Sequence, residues 1–140
     1  MSELRVRRLV DHATLPTRAY EHDAGIDLYG CEKFTLKPNS TTAVSTGVAM
    51  EIPAGFVGLI RDRSSMGKRG ITTLAGVVDA GYRGEVLVML HNLNDEAIEF
   101  EAGAKIAQML ILPVSTAPIV EVNQLSDSDR GERGFGSSGT

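Results

Sequence analysis

Short apolar runs recur along this chain, each closed by turn residues. Phe34–Leu36 is followed by Pro38-Asn39-Ser40, and the run over 48–52 by Pro53-Ala54-Gly55. Further runs cover 56–60, Val77–Val78, 85–90, 97–100 and 106–112. Strands of this length, at intervals of roughly ten residues and punctuated by Gly, Pro, Asn and Asp, predict an all-β sandwich or barrel. Asn92-Leu93-Asn94-Asp95 has the composition of a hairpin loop between two such strands. The acids around it, Asp95, Glu96, Glu99 and Glu101, fit solvated positions. No stretch has the period of a long amphipathic helix, and residues 64–69 make at most one turn of one. There is no internal repeat.

Composition sharpens this picture in a few places. Hydrophobic residues make up 42% of the 140 positions, enough for one packed domain. With no Trp and only 5% aromatic residues, the core must rest on Val, Ile, Leu, Met and Ala, and Met50, Met66, Met89 and Met109 read as packing residues. Residues 1–125 form the expected domain. Residues 126–140 hold four Gly, four Ser and a single large apolar residue, Phe135, too little to fold alone. A net charge of −4 argues against a non-specific nucleic-acid binder but leaves room for a small phosphorylated ligand. Cys31 stands alone, so it reads as a small buried or half-buried residue in a reducing compartment. Residues 1–10 carry Arg5, Arg7 and Arg8 but no apolar run like that of a signal peptide. No window approaches the ~20 apolar residues of a membrane span, so a soluble, cytoplasmic protein with no membrane partner is expected. His12, His22 and His91 show no metal-ligand spacing, and a protein-held zinc is not expected.

Three segments can carry chemistry. Arg63-Ser64-Ser65-Met66-Gly67 offers a guanidinium, two hydroxyls and backbone N–H groups to phosphate oxygens, although a capped turn explains it equally. Arg130-Gly131-Glu132-Arg133-Gly134-Phe135-Gly136-Ser137-Ser138-Gly139 combines cations with closely spaced glycines. It is either a frayed terminus or a second phosphate site, and no Lys-Ser/Thr follows the glycines to make a Walker A loop. In Gly76-Val77-Val78-Asp79-Ala80-Gly81-Tyr82-Arg83-Gly84 a carboxylate ends an apolar strand just before a turn and a Tyr. Asp79 is then a turn-capping residue or a general base.

Ala24-Gly25-Ile26-Asp27-Leu28, Arg63-Ser64-Ser65, residues 76–84, Gly103-Ala104-Lys105-Ile106-Ala107-Gln108 and residues 130–139 together resemble the five ordered motifs of the homotrimeric dUTPases. The resemblance implies a jelly-roll-like β-barrel protomer and a trimer whose three active sites are each built by three chains. It implies hydrolysis of dUTP to dUMP and pyrophosphate, with Mg²⁺ held mainly by the triphosphate and waters. By the same resemblance Asp79 orients and deprotonates the attacking water and bonds the sugar 3′-hydroxyl, and Tyr82 packs under the deoxyribose. Backbone groups in the hairpin from Thr73 to Val86 read the uracil edge and exclude a 5-methyl group, with Val77, Val78 and Leu87 among the substrate-binding residues. Arg63, Ser64, Ser65 and Gln108 hold phosphates, Asp27 supports the metal-water network, and Arg130, Phe135 and Gly136 close over the substrate from another subunit. Asp62 stands where the family often has Pro, Lys105 where it often has Arg, and Arg133 where Gly is frequent.

Two other readings share the scaffold. A dCTP deaminase needs a Glu on the strand after the Gly81-Tyr82 turn, where this chain has Met89; a thioether cannot shuttle protons, and Glu85 lies at the wrong end of that strand. A non-catalytic regulatory trimer needs none of the side chains that the resemblance calls catalytic.

Overall fold

A computed structural model describes residues 3–136 and Gly139. Among the described residues ten strands form: β1 (Arg5–Arg8), β2 (Ile26–Tyr29), β3 (Phe34–Leu36), β4 (Thr41–Glu51), β5 (Phe56–Arg61), β6 (Ile71–Leu74), β7 (Val77–Val78), β8 (Glu85–Asn92), β9 (Ile98–Phe100) and β10 (Lys105–Pro113). Among the described residues there is one helix, α1 (Ser64–Lys68), the single turn that the sequence allows. Two four-stranded antiparallel sheets, ordered β1-β4-β8-β6 and β2-β10-β5-β7, and the β3-β9 ribbon make the jelly-roll-like barrel. No helix among the described residues is long and apolar enough to cross a membrane.

Period-two alternation builds the core. In β8 the positions Val86, Val88, Leu90 and Asn92 are all buried while their neighbours face outward. Leu28, Leu36, Ile52, Ile71, Ile106 and Met109 complete the least accessible part of the interior, each contributing on the order of 1.5–3 kcal/mol by leaving water. Aromatic residues serve at the edge: Phe34 stacks on Phe100 at 4.9 Å, and the Arg69 guanidinium lies 5.1 Å from the Phe100 centroid.

The 92–95 segment departs from the sequence expectation. It is not a hairpin loop, because β8 pairs with β4 and β6 whereas β9 pairs with β3. Asn92 makes the transition between sheets possible. Fully buried, its amide donates to the carbonyls of Leu36, Lys37 and Glu96, and its oxygen accepts from Asn94. The turn composition of these four residues cannot reveal that the chain is about to change sheets. Asp95, Glu96, Glu99 and Glu101 are exposed, as solvated positions should be. Beyond β10 every described residue is exposed, so the extended segment begins at Val114, ahead of the polar stretch from Ser126.

Candidate active site

Two clefts gather most of the residues singled out above. The first is walled by apolar groups of the β6–β7–β8 region: Ile60, residues 74–79, Tyr82, residues 85–87 and Met89 enclose about 300 Å³. Its shape comes from a bend between sheets. β6 pairs with β8, while β7 crosses to pair with β5, with Val78 opposite Gly58 and Val77 opposite Leu59. Ala75 and Gly76 take the bend with positive φ, 60° and 106°. Gly76 has no room for a side chain, since a Cβ there would sit 2.8 Å from the Ile60 carbonyl oxygen. The Gly76 carbonyl in turn accepts from the Ile60 N–H at 2.8 Å.

Asp79 leaves β7 at the mouth of this cleft. Its carbonyl accepts from the Tyr82 N–H at 3.1 Å and closes the turn. Contrary to what its place at the end of an apolar strand suggests, Asp79 is exposed in the protomer, and its carboxylate is not committed to a hydrogen bond with the described residues. The Tyr82 hydroxyl donates to the Glu85 carbonyl at 2.7 Å, which fixes the ring against the cleft. Val77 is 66% exposed, an unusual position for a strand valine, whereas Val78 is turned into the core. Leu87 stands exposed on the opposite wall. Glu85 lines the cleft, but its carboxylate accepts from the Ser45 hydroxyl and the Gly47 N–H. That carboxylate is therefore held by β4.

The second cleft is charged. Ala19, Asp23, Ala24, Gly25, Asp27, Arg63, Lys105 and Gln108 enclose about 350 Å³. Strand register brings its polar groups together: Gln108 on β10 lies opposite Asp27 on β2 and opposite Arg61 on β5. A bulge between Lys105 and Ala107 leaves both Ile106 and Ala107 buried. The extra residue re-aims Lys105 toward the side that carries Gln108. Asp27, only 14% exposed at its side chain, pairs with Lys105 Nζ at 3.3 Å and with Arg63 Nε at 3.5 Å. Gly25 is needed for close packing, because a Cβ there would overlap the Gln108 amide oxygen at 1.9 Å. Asp23 lines this cleft too, its carboxylate accepting from the Tyr20 N–H at 3.1 Å.

Between the clefts lies Asp62, which the sequence marks only as a departure from Pro. Its carboxylate accepts from the Thr73 N–H, the Thr73 hydroxyl and the Thr72 hydroxyl at 2.7–2.8 Å. Its carbonyl accepts from the Gln108 amide at 2.8 Å. Burial pushes the carboxyl up, but the Thr73 and Thr72 hydrogen bonds and the nearby Arg61 charge outweigh it and hold Asp62 below the usual carboxylate range. Thr73 thus spends its hydroxyl on Asp62 and lies outside the lining of the apolar cleft. No signal in a single sequence links position 62 to position 73.

Ser64 and Ser65 are exposed in the first turn of α1, beside Arg63, which caps it in extended conformation without a side-chain hydrogen bond. Arg130 bonds within the tail, to the Arg133 and Gly134 carbonyls at 2.8 Å. Phe135 and Gly136 are exposed, Phe135 completely. No described tail residue lines either cleft, and Ser137 and Ser138 of the last motif lie outside the described residues.

The jelly-roll-like barrel, with an apolar cleft ending in a carboxylate and a charged cleft of two cations and two carboxylates beside it, fits an all-β enzyme class that handles nucleotides. The dUTPase family model matches residues 11–139. The deoxyuridine 5'-triphosphate nucleotidohydrolase of Clostridium kluyveri is 43% identical over 141 residues, covering 99% of both chains. Its counterpart in Picosynechococcus is 42% identical, over 98% of this chain and 99% of its own. Among solved structures, a mutant dUTPase of Staphylococcus bacteriophage 80alpha with dUpNHpp superposes with a TM-score of 0.93 at 30% identity, covering all of both chains. A mutant dUTPase of phage phi11 of S. aureus, in which coordination of a structural Mg(II) ion is described, gives 0.82 at 28% identity over 87% of this chain and 97% of its own. The chain belongs to the dUTPase family.

Proposed function

We infer that this chain hydrolyses dUTP to dUMP and pyrophosphate by attack of water on the α-phosphate. The observation that carries the reading is the division of labour between the two clefts in a member of this family. An apolar cleft suits a uracil and a deoxyribose, and its carboxylate is free to take a proton. The charged cleft, where Arg63, Lys105 and Gln108 offer donors, suits a triphosphate that arrives with its own cation. Phosphoryl chemistry asks mainly for positioning and neutralisation of charge, with a base for the water. In this reading Asp79 orients the water and receives its proton. Tyr82, held by Glu85, packs under the sugar and leaves no room for a 2′-hydroxyl. Val77, Val78, Leu87 and backbone groups of the bend surround the base. Arg63, Ser64, Ser65 and Gln108 hold phosphate oxygens.

Mg²⁺ belongs to the same reading. Asp27 is already neutralised by Arg63 and Lys105, so a single shared carboxylate fits a hard cation better through water than directly. The ion would be held chiefly by the triphosphate, with Asp27 supporting its waters, and would supply neutralisation of phosphate charge.

The homotrimer is supported by what the protomer leaves unfinished. No residue lines both clefts. The segment after Pro113 exposes Ile119, Val120, Val122 and Leu125, a density of apolar groups that a free terminus would not carry. These residues, unremarked in the sequence, suit burial on a second copy, from which Arg130, Phe135 and Gly136 reach a neighbour's substrate. Lone, buried Cys31 fits the cytoplasm.

The deaminase alternative loses on one observation: Met89 lines the cleft and the Glu85 carboxylate is bound to β4. Product analysis with dUTP, dCTP, dTTP and UTP, with and without Mg²⁺, tests the whole reading. The expected result is dUMP and pyrophosphate from dUTP alone; release of ammonia from dCTP, or no turnover, would overturn it.

A further inference from the structure

We propose that His12, Cys31 and Glu32 form a binding site for a borderline divalent cation such as Zn²⁺. The three residues come from two loops far apart in sequence, one before β2 and one after it. Their ligand atoms, an imidazole nitrogen, the thiol sulfur and a carboxylate oxygen, all lie within 4.8 Å of one another. Tetrahedral zinc, with bonds near 2.0–2.3 Å, holds its ligand atoms about 3.3–3.6 Å apart. His12 Nε2 and Glu32 Oε1, now 2.6 Å apart, would open by less than an ångström to admit the ion. Both side chains are more than half exposed and can make that movement, whereas Cys31 is buried and supplies the fixed point. A water would take the fourth position. A nitrogen, a thiolate and one carboxylate make a donor set too soft for Mg²⁺ or Ca²⁺ and well suited to zinc.

The backbone holds this geometry before any ion arrives. Both loops hang on the bulge of β4 between Ser45 and Ala49. The Leu9 N–H donates to the Gly47 carbonyl at 2.8 Å and the Cys31 N–H to the Ser45 carbonyl at 3.0 Å. The Gly30 N–H donates to the Ala104 carbonyl at 2.9 Å, and the Gly103 N–H returns to Gly30 at 2.7 Å. Little ordering is left for the ion to impose. The Cys31 thiol now donates to the Ser45 hydroxyl at 3.4 Å, and the ion would displace that thiol proton while the Ser45 proton stays with the Glu85 carboxylate. None of the three residues lines either cleft, so the site can be altered without touching the groups that hold nucleotide.

The test is a titration of metal-free, full-length protein with Co²⁺, followed by displacement with Zn²⁺. A near-ultraviolet sulfur-to-cobalt charge-transfer band should saturate at one ion per chain and vanish on adding zinc. Cys31→Ser should abolish the band. His12→Gln and Glu32→Gln, both at exposed positions, should keep the fold and dUTP turnover in Mg²⁺ but weaken binding by at least about tenfold. Those two variants also carry the test if Cys31→Ser fails to fold. Absence of the band at stoichiometric cobalt overturns the proposal, as does a band whose affinity is the same in His12→Gln and Glu32→Gln.

Discussion

Oδ1 of Asp62 accepts both the backbone N–H and the hydroxyl of Thr73, at 2.7 and 2.8 Å. One carboxylate oxygen thereby ties the residue before Arg63 to the strand that leads into the apolar cleft. Through its carbonyl the same residue holds Gln108. Asp62 therefore sets the two clefts relative to each other, a role that a proline at this position could not fill with side-chain hydrogen bonds.

Asp62→Ala should lose about 2 kcal/mol of stability, because partly buried donors on Thr72 and Thr73 are left without an acceptor. Turnover should fall by no more than about tenfold, as the chain entering Arg63 loses its tie to β6 while the Asp62 carbonyl still holds Gln108. Asp62→Asn should do less harm, since its oxygen can still accept from Thr73. The effect has a pH signature. The folded-state pKa lies below the unfolded value, so the stabilisation is complete above the ordinary carboxylate pKa of about 3.9 and is lost as pH falls through the folded value. Urea unfolding of wild type and Asp62→Asn across the acid range checks this. A stability difference that stays constant as the pH is lowered would show that the carboxylate's charge is not involved.

Much of the barrel is legible in the chain because alternation reports burial directly. β3 and β7 coincide with the apolar runs, and β5, β8, β9 and β10 differ by a residue or two at their ends. β4 is longer than its apolar part, because Thr41, Thr42 and Ser45 pair by backbone with β8 whatever their polarity. β2 and β6 are too short and too mixed to stand out, and their pairing is settled by partners distant in sequence. Of the site, the motif residues Asp27, Arg63 and Gln108 line one cleft and Val77, Val78, Asp79 and Tyr82 the other, where Leu87, outside the motifs, joins them. Lys105 reaches Asp27 because of a bulge, and Asp62 meets Thr73 across two strands; neither relation leaves a trace in local sequence.

Asp79→Asn should preserve the fold, since the exposed carboxylate makes no hydrogen bond with the described residues. It should bind nucleotide with similar affinity and turn over about 10²- to 10⁴-fold more slowly, the usual consequence of removing a general base. Single-turnover kinetics alongside equilibrium binding separate the two effects. Near-normal turnover would take Asp79 out of the mechanism.

Tyr82→Ala should relax discrimination between dUTP and UTP. The ring is held in place by the hydroxyl's bond to the Glu85 carbonyl, and removing it opens space where a 2′-hydroxyl would lie. The ratio of kcat/KM for the two nucleotides is the measurement. Tyr82→Phe keeps the ring and loses the anchor, so its ratio should fall between wild type and Tyr82→Ala. Unchanged ratios in both variants would assign sugar selection to another group.

The tail gives the most demanding prediction. Residues 126–136 are exposed, bond chiefly among themselves and add nothing to the core, so deleting 126–140 should barely change stability. Activity should nevertheless collapse. Arg130 now spends its guanidinium on carbonyls of its own tail, and a triphosphate is a stronger acceptor than either. Losing one preorganised donor to developing charge typically reduces rate about 10²- to 10³-fold, and Arg130→Ala alone should reproduce most of the deletion's effect. If each tail serves a neighbouring subunit, two inactive chains should complement each other. Mixing full-length Asp79→Asn with the tail-deleted chain creates sites in which the deleted chain supplies Asp79 and the point mutant supplies the tail. Hybrid trimers verified by mass should then recover part of the wild-type turnover, although neither parent has it. Hybrids without activity would mean that each tail closes on its own subunit. A tail-deleted enzyme with full turnover would remove the tail from catalysis altogether.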